Sequence, residues 1–361
     1  YVAAGDINGD GLQDLVTAAG PGAVATVAVA RKDATVLAEV VPFPGANGGA
    51  TVAAGNVDAS DREEVIVGSG PGISSTVKAY RLVNDQLEEV FSFSPYGAGF
   101  RGGVFVGAAK GYIVTGAGAG GGPHVKVFKI TGGVPELFSE WMAYGAFSGG
   151  VRVDIGTAQV PGKLNVVTGA GAGGGPHVRL FNLDGLPVYE FFAFSASFQG
   201  GVFVSIAGQA RTLVGAGPGG GPHVKAIQYD AEEFAYSEVA SFFAYDPKFT
   251  GGVRVGGLEP SELPCATPLP GCLDGSNATS TTAGPTTTVK PTTTTTLAPG
   301  QTTTTVAACD TIELPGLGCL TPSEEPPPTT TTTRPLTTTT SSTTSPSTTS
   351  TSTTSTTLPA G

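Results

Sequence analysis

Gly200-Gly-Val-Phe-Val-Ser-Ile206 is a glycine pair that opens onto a run of β-branched and aromatic residues. Behind it come Thr212-Leu-Val-Gly215, the turn Gly217-Pro-Gly-Gly-Gly-Pro222, a run from His223 to Tyr229, an acidic turn, and a last run from Ser237 to Tyr245. Each run is short, rich in β-branched or aromatic side chains, and bounded by Gly, Pro or Asp, which reads as four strands. The glycine pair recurs at Gly48-Gly49, Gly102-Gly103, Gly149-Gly150 and Gly251-Gly252, at spacings of 54, 47, 51 and 51 residues. A period near 50 residues with four antiparallel strands in each unit describes the blade of a β-propeller. No segment of the first 257 residues carries a helical period. A parallel β-helix with calcium turns is set aside, because its nine-residue G-G-x-G-x-D period is absent.

The repeats run over about 1–49, 50–103, 104–150, 151–201 and 202–252, and Val253-Arg-Val255 starts a sixth first strand within 253–257. Tyr1-Val2 already supplies the first strand of repeat one, so the sixth first strand either caps the ring or marks blades lost upstream in a processed product or fragment, the second being the expectation. From 258 the composition turns to Thr, Ser and Pro. Residues 258–275 read as a cysteine-containing linker, and 276–361 as a low-complexity stalk too poor in apolar side chains to offset chain entropy. Such a stretch is open to O-glycosylation, and Asn277-Ala-Thr279 adds an N-glycan sequon. Cys265 and Cys272, like Cys309 and Cys319, flank a Leu-Pro-Gly turn and are followed by Leu. Four cysteines allow three pairings, and the duplication favours two local bridges and an oxidising, extracytoplasmic setting. The net charge of −11 argues against a nucleic-acid partner, and no apolar run is long enough for a transmembrane helix.

Asp6-x-Asn8-x-Asp10-Gly11-x-x-Asp14 places oxygen side chains at positions 1, 3, 5 and 9 of a loop, with the Leu12 carbonyl between them. That donor set suits Ca²⁺ in a β-hairpin loop; Thr17 stands where an EF-hand needs its twelfth-position Glu. Asn56, Asp58, Ser60 and Glu64 form a second copy with fewer charges and weaker expected binding.

His124, His177 and His223 share one repeat position, where Thr26 and Thr76 stand in the first two units. Thr cannot replace a metal ligand, so the histidines read as structural hydrogen-bonders. The glycine-rich cassettes lead into strands, which excludes a phosphate loop. Aromatics at Trp141, Tyr144, Phe147, Phe191, Phe194, Phe198, Phe242, Tyr245 and Phe249 recur at fixed register and read as packing between blades, with sugar stacking as the alternative. No catalytic triad, acid–base pair or zinc site is apparent.

The cassettes Gly116-Ala-Gly-Ala-Gly-Gly-Gly-Pro-His-Val-Lys-Val-Phe128, Gly169 to Phe181 and Gly215 to Ile227, together with the Asp6 loop, resemble FG-GAP/VCBS-type repeats. The resemblance covers residues 1 to about 257 and implies an integrin-α-like propeller of a bacterial secreted or surface protein. The expectation is a non-catalytic adhesion or ligand-binding propeller, stabilised by calcium, displayed on a mucin-like stalk, and binding an extracellular protein or glycan. A lectin-like propeller and the accessory part of a larger secreted enzyme are the alternatives.

Overall fold

The computed structural model describes residues 1–257, apart from 59, 61, 160, 161, 209, 231 and 234. The expected linker, stalk and cysteine pairs, 265 with 272 and 309 with 319, lie outside the described residues. Among the described residues twenty strands form five four-stranded antiparallel sheets, each in simple up-and-down order. The first blade contains β1 (Val2–Gly5), β2 (Asp14–Ala18), β3 (Val27–Ala30) and β4 (Val36–Val40). The second contains β5 (Ala50–Gly55), β6 (Glu64–Ser69), β7 (Val77–Val83) and β8 (Gln86–Phe93). β9 (Val104–Ala109), β10 (Tyr112–Ala117), β11 (His124–Thr131) and β12 (Val134–Met142) make the third. β13 (Val151–Gly156), β14 (Asn165–Ala170), β15 (His177–Phe181) and β16 (Pro187–Phe192) make the fourth. The fifth is β17 (Val202–Ala207), β18 (Arg211–Ala216), β19 (His223–Asp230) and β20 (Ala235–Phe243).

The strands expected in the fifth repeat are therefore present, with shifted ends. The fourth runs from Ala235 to Phe243 and stops before Tyr245. It stops there because Ala244 N–H turns back to the Pro222 carbonyl at 2.9 Å.

First strands pack side by side, β1 on β5, β5 on β9, β9 on β13 and β13 on β17, so the blades run around a common axis. Valine and alanine fill the spaces between blades, with Val16, Val65, Ile113, Val166 and Val214 fully buried. Fourth strands are mostly exposed. This gradient follows from geometry, since converging sheets leave least room near the axis and most at the rim.

The glycine pairs close each junction. Their second members all have positive φ: +66° at Gly49, +90° at Gly103, +78° at Gly150, +69° at Gly201 and +78° at Gly252. They pass between two second strands so closely that a Cβ on Gly150 would sit 2.6 Å from the Ala117 carbonyl oxygen of the preceding blade.

Residues 253–257 continue this pattern without forming a blade. Val253 N–H donates to Ala216 O at 2.9 Å. Its own carbonyl lies against Gly215, as the Val202 carbonyl lies against Gly169. Gly256 approaches the Val2 carbonyl and Gly257 the Ile206 carbonyl, so the segment bridges β17 and β1 at the inner edge of the ring. Outside that inner edge nothing among the described residues covers the position. Phe242, Tyr245 and Phe249 are 52%, 62% and 49% exposed, and Ala244 is exposed although its counterparts Ala143 and Ala193 are buried.

Candidate functional site

The Asp6 loop connects β1 to β2 and is folded by its own carboxylates. Asp6 Oδ1 accepts from Gly9 and Asp10 N–H at 2.8 and 3.0 Å, and Oδ2 from Gly11 N–H at 2.8 Å. Asp10 Oδ1 accepts from Leu12 N–H at 2.8 Å, and Asp14 Oδ2 from Asn8 N–H at 3.2 Å. The second blade braces the loop, with Glu63 Oε2 accepting from Asp6 N–H at 3.1 Å. Asp14 is 2% exposed. Burial pushes its carboxyl above the usual range, with Asp10 and Asp6 adding to the effect. Among the described residues no three His, Cys, Asp or Glu side chains gather as a bound metal would require. The donors are nonetheless all oxygens, and the crowding of charge around buried Asp14 is what a hard cation would relieve.

The second loop meets its charge differently. Arg81, on β7, pairs with Asp58 and with Glu64, its Nη2 lying 3.0 Å from Glu64 Oε1. Asn56 is tied to the Ser60 carbonyl, and Glu64 Oε2 accepts from Val57 N–H at 3.1 Å. A guanidinium thus stands where the sequence suggested a weak cation site. Its source, 17 residues beyond Glu64 on the next strand, is not visible in the loop motif.

The histidines pack under aromatics of the preceding blade. Tyr96 lies 5.5 Å from His124, Tyr144 5.3 Å from His177, and Phe194 5.2 Å from His223, centroid to centroid. Each Nε2 also meets a fourth-strand side chain: Glu140 at 3.0 Å, Glu190 at 3.5 Å and Ser241 at 2.8 Å. These contacts give Tyr144 and Phe194 a packing role between blades, which Phe242, Tyr245 and Phe249 of the fifth repeat, all exposed, do not share.

Desolvation lowers His177 and His223 below the ordinary imidazole range, against the pull of Glu190 and Glu238. A base depressed in the fold binds fewer protons there than when unfolded. Its contribution is present above the unfolded pKa near 6.5 and is lost as pH falls from there through the lower folded value. The melting temperature is expected to drop from pH 7.5 to 5.5. Replacing both residues with Gln flattens that limb, which calorimetry across the range checks.

The central channel encloses a cavity of about 910 Å³. Its wall comes from the first strands and is mostly small, with Ala4, Ala54, Gly55 and Gly156 among its residues. At the end carrying the β1–β2-type connections it is lined by Asp6, Glu63 and the exposed Arg62 and Lys110. Toward the glycine-pair end lie Tyr1, Phe105, Arg152, Phe203 and Arg254. With Thr51 these occupy a single repeat position, the residue before Val2, Val52, Val106, Val153, Val204 and Val255. Arg152 lies 4.0 Å from the Phe203 ring centroid and 5.9 Å from Phe105, while Arg254 lies 5.2 Å from Phe203 and 4.6 Å from Tyr1. Asp154 accepts from Ser205 Oγ at 2.6 Å and Ile206 N–H at 2.9 Å, linking two first strands across the wall. Sequence reasoning missed this ring of residues, although superposing the repeats would have placed them at one level.

No known family model matches the chain, and no curated protein does. Similar solved structures include a mitotic checkpoint complex, 14% identical over 68% of this chain and 67% of that one, TM-score 0.42. Others are a protein of unknown function from Bacteroides caccae (16% identity, 64% and 73% coverage, TM-score 0.43) and a hypothetical selenium-binding protein from Sulfolobus tokodaii (12%, 67% and 60%, 0.42). This chain spans 60% of the last. Likeness at this level carries no functional argument. The chain's own strand pairing defines it as an all-β propeller of five four-stranded blades.

Proposed function

We propose that residues 1–257 are a non-catalytic binding propeller of the FG-GAP/VCBS type, taking its ligand into the central channel. The observation that supports this reading most is the cavity of about 910 Å³, which lies within the size range of small-molecule sites. An extracellular glycan, or another group narrow enough to enter, is the proposed partner. We read the chain as secreted or surface-displayed, with 276–361 as its stalk, on the strength of the tail's Thr/Ser/Pro composition.

Screening the folded chain against oligosaccharides and small metabolites by thermal shift tests the binding reading. A saturable stabiliser that weakens on Lys110→Glu is expected, because Lys110 is exposed on the channel lining. A screen with no stabiliser, or hits indifferent to that change, overturns the reading.

Calcium in the first loop would be held by Asp6, Asn8, Asp10, Asp14 and the Leu12 carbonyl, neutralising the charge around buried Asp14 and stiffening the loop at the channel lining. Chelator is expected to lower the melting temperature of calcium-loaded protein, and Asp10→Ala to remove the difference. A melting curve indifferent to both calcium and chelator removes the metal. At the second loop Arg81 already supplies the positive charge, so we assign calcium to the first loop alone.

A further inference from the structure

The channel carries two guanidiniums with no acid to meet them. In a chain of net charge −11, Arg152 and Arg254 make no ion pair among the described residues, although Arg81 and Arg179 do. Arg152 spends one nitrogen on the ring, Nη1 donating to the Ala170 and Val202 carbonyls at 3.1 Å each. Its Nε is enclosed and has no hydrogen-bond partner among the described residues. Arg254 is exposed and makes no hydrogen bond among the described residues. Both cations rest against Phe203, which is 7% exposed.

Stacking on an aromatic face accounts for part of this arrangement. It does not account for like charges converging on one ring. Desolvation, with Arg254 adding to it, pushes the Arg152 guanidinium down to about 10, so the enclosure works against its charge. An enclosed donor without an acceptor is costly and calls for a partner. The one carboxylate on the same strand face, Asp154, is engaged with Ser205 and Ile206.

We propose that Arg152 and Arg254 form an anion site at the glycine-pair end of the channel, gripping the carboxylate of a small organic acid whose body fills the cavity. A guanidinium presents its donors as a planar fork matched to an oxyanion. The cavity of about 910 Å³ is far larger than an inorganic ion. The rings of Tyr1, Phe105 and Phe203 beside the cations suit a ligand with an apolar or sugar face behind its charge. This assignment rests on the binding reading above and names the chemical class of ligand that site would take.

Thermal-shift titration of the full chain with glucuronate, benzoate, inorganic phosphate and neutral glucose, at ionic strength held with sodium chloride, tests it. Saturable stabilisation is expected from the two organic acids and not from glucose, with phosphate weaker because it offers the head group alone. Arg254→Met is expected to weaken acid binding at least about tenfold, since charge-assisted hydrogen bonds are the strong ones, and Arg254→Lys to restore part of it. Arg254 is the better variant because Arg152 also ties two carbonyls of the ring. Acids that bind Arg254→Met undiminished, or do not bind the parent chain, overturn the anion site. Glucose binding in their place leaves the channel reading standing and sinks only this assignment.

Discussion

Gly171→Ala is expected to abolish folding of the propeller at 37 °C, whereas Gly20→Ala, at the same place in the repeat, stays within about 0.5 kcal/mol of the parent. A Cβ on Gly171 would lie 1.9 Å from the Gly149 carbonyl oxygen, 2.6 Å from its carbon and 2.8 Å from the Gly150 oxygen. All three are backbone, and Gly171 N–H is already bonded to Gly150 O at 3.0 Å. No rotamer change relieves such a contact. The first and second strands of the blade would have to part, with a cost above about 4 kcal/mol. The same squeeze recurs at Gly70, Gly118 and Gly217, whose added Cβ would stand 1.8, 2.1 and 2.1 Å from a glycine-pair oxygen. At Gly20 the nearest atom is a nitrogen of Arg254, 4.0 Å away. Soluble yield and thermal melting of the two variants settle the comparison. A well-folded Gly171→Ala chain would mean the junctions are looser than these distances allow.

That contrast shows which part of the fold the sequence carried. The Gly-Gly period was readable because a crowded junction with positive φ admits no other residue, so the constraint is written at each junction whatever its neighbours are. Strand identity was readable for a similar reason: β-branched runs between Gly and Pro need no partner to be recognised. The Asp6 loop was legible as an oxygen-rich hairpin because its hydrogen bonds close within nine residues, from Asp6 to Asp14.

What escaped depends on contacts between repeats or around the ring. Arg81 meets Asp58 across 23 residues, and the motif at 56–64 holds no hint of it. Arg152 and Arg254 acquire meaning only when six first-strand positions face one axis. The Thr-to-His exchange at one repeat position became partly intelligible only once His124, His177 and His223 were found against Tyr96, Tyr144 and Phe194. Thr76 follows a blade whose equivalent aromatic is Phe43, and the structure gives no reason for threonine there.

Tyr144→Ala is expected to cost about 3–5 kcal/mol, and Tyr245→Ala less than about 0.5 kcal/mol, although both close a fourth strand at one register. The Tyr144 hydroxyl lies 2.9 Å from Thr168 Oγ1 and 3.0 Å from both the Thr168 and His177 carbonyl oxygens, all on the next blade. Burial of the hydroxyl drives its phenol above the usual range. Removing the side chain opens a cavity between two blades and leaves polar groups without their partner. Tyr144→Phe isolates the second effect and should cost about 1–3 kcal/mol. Tyr245 is 62% exposed, and among the described residues the one ring it meets is Phe249 of its own blade, 5.8 Å away. Denaturant melts of the three variants give the comparison directly. If Tyr245→Ala proved as costly as Tyr144→Ala, the open position beside residues 253–257 would be filled in solution by something that receives Tyr245 as the fourth blade receives Tyr144. The stability of one exposed tyrosine thus reports whether five blades and a bridging segment are the whole of the working ring.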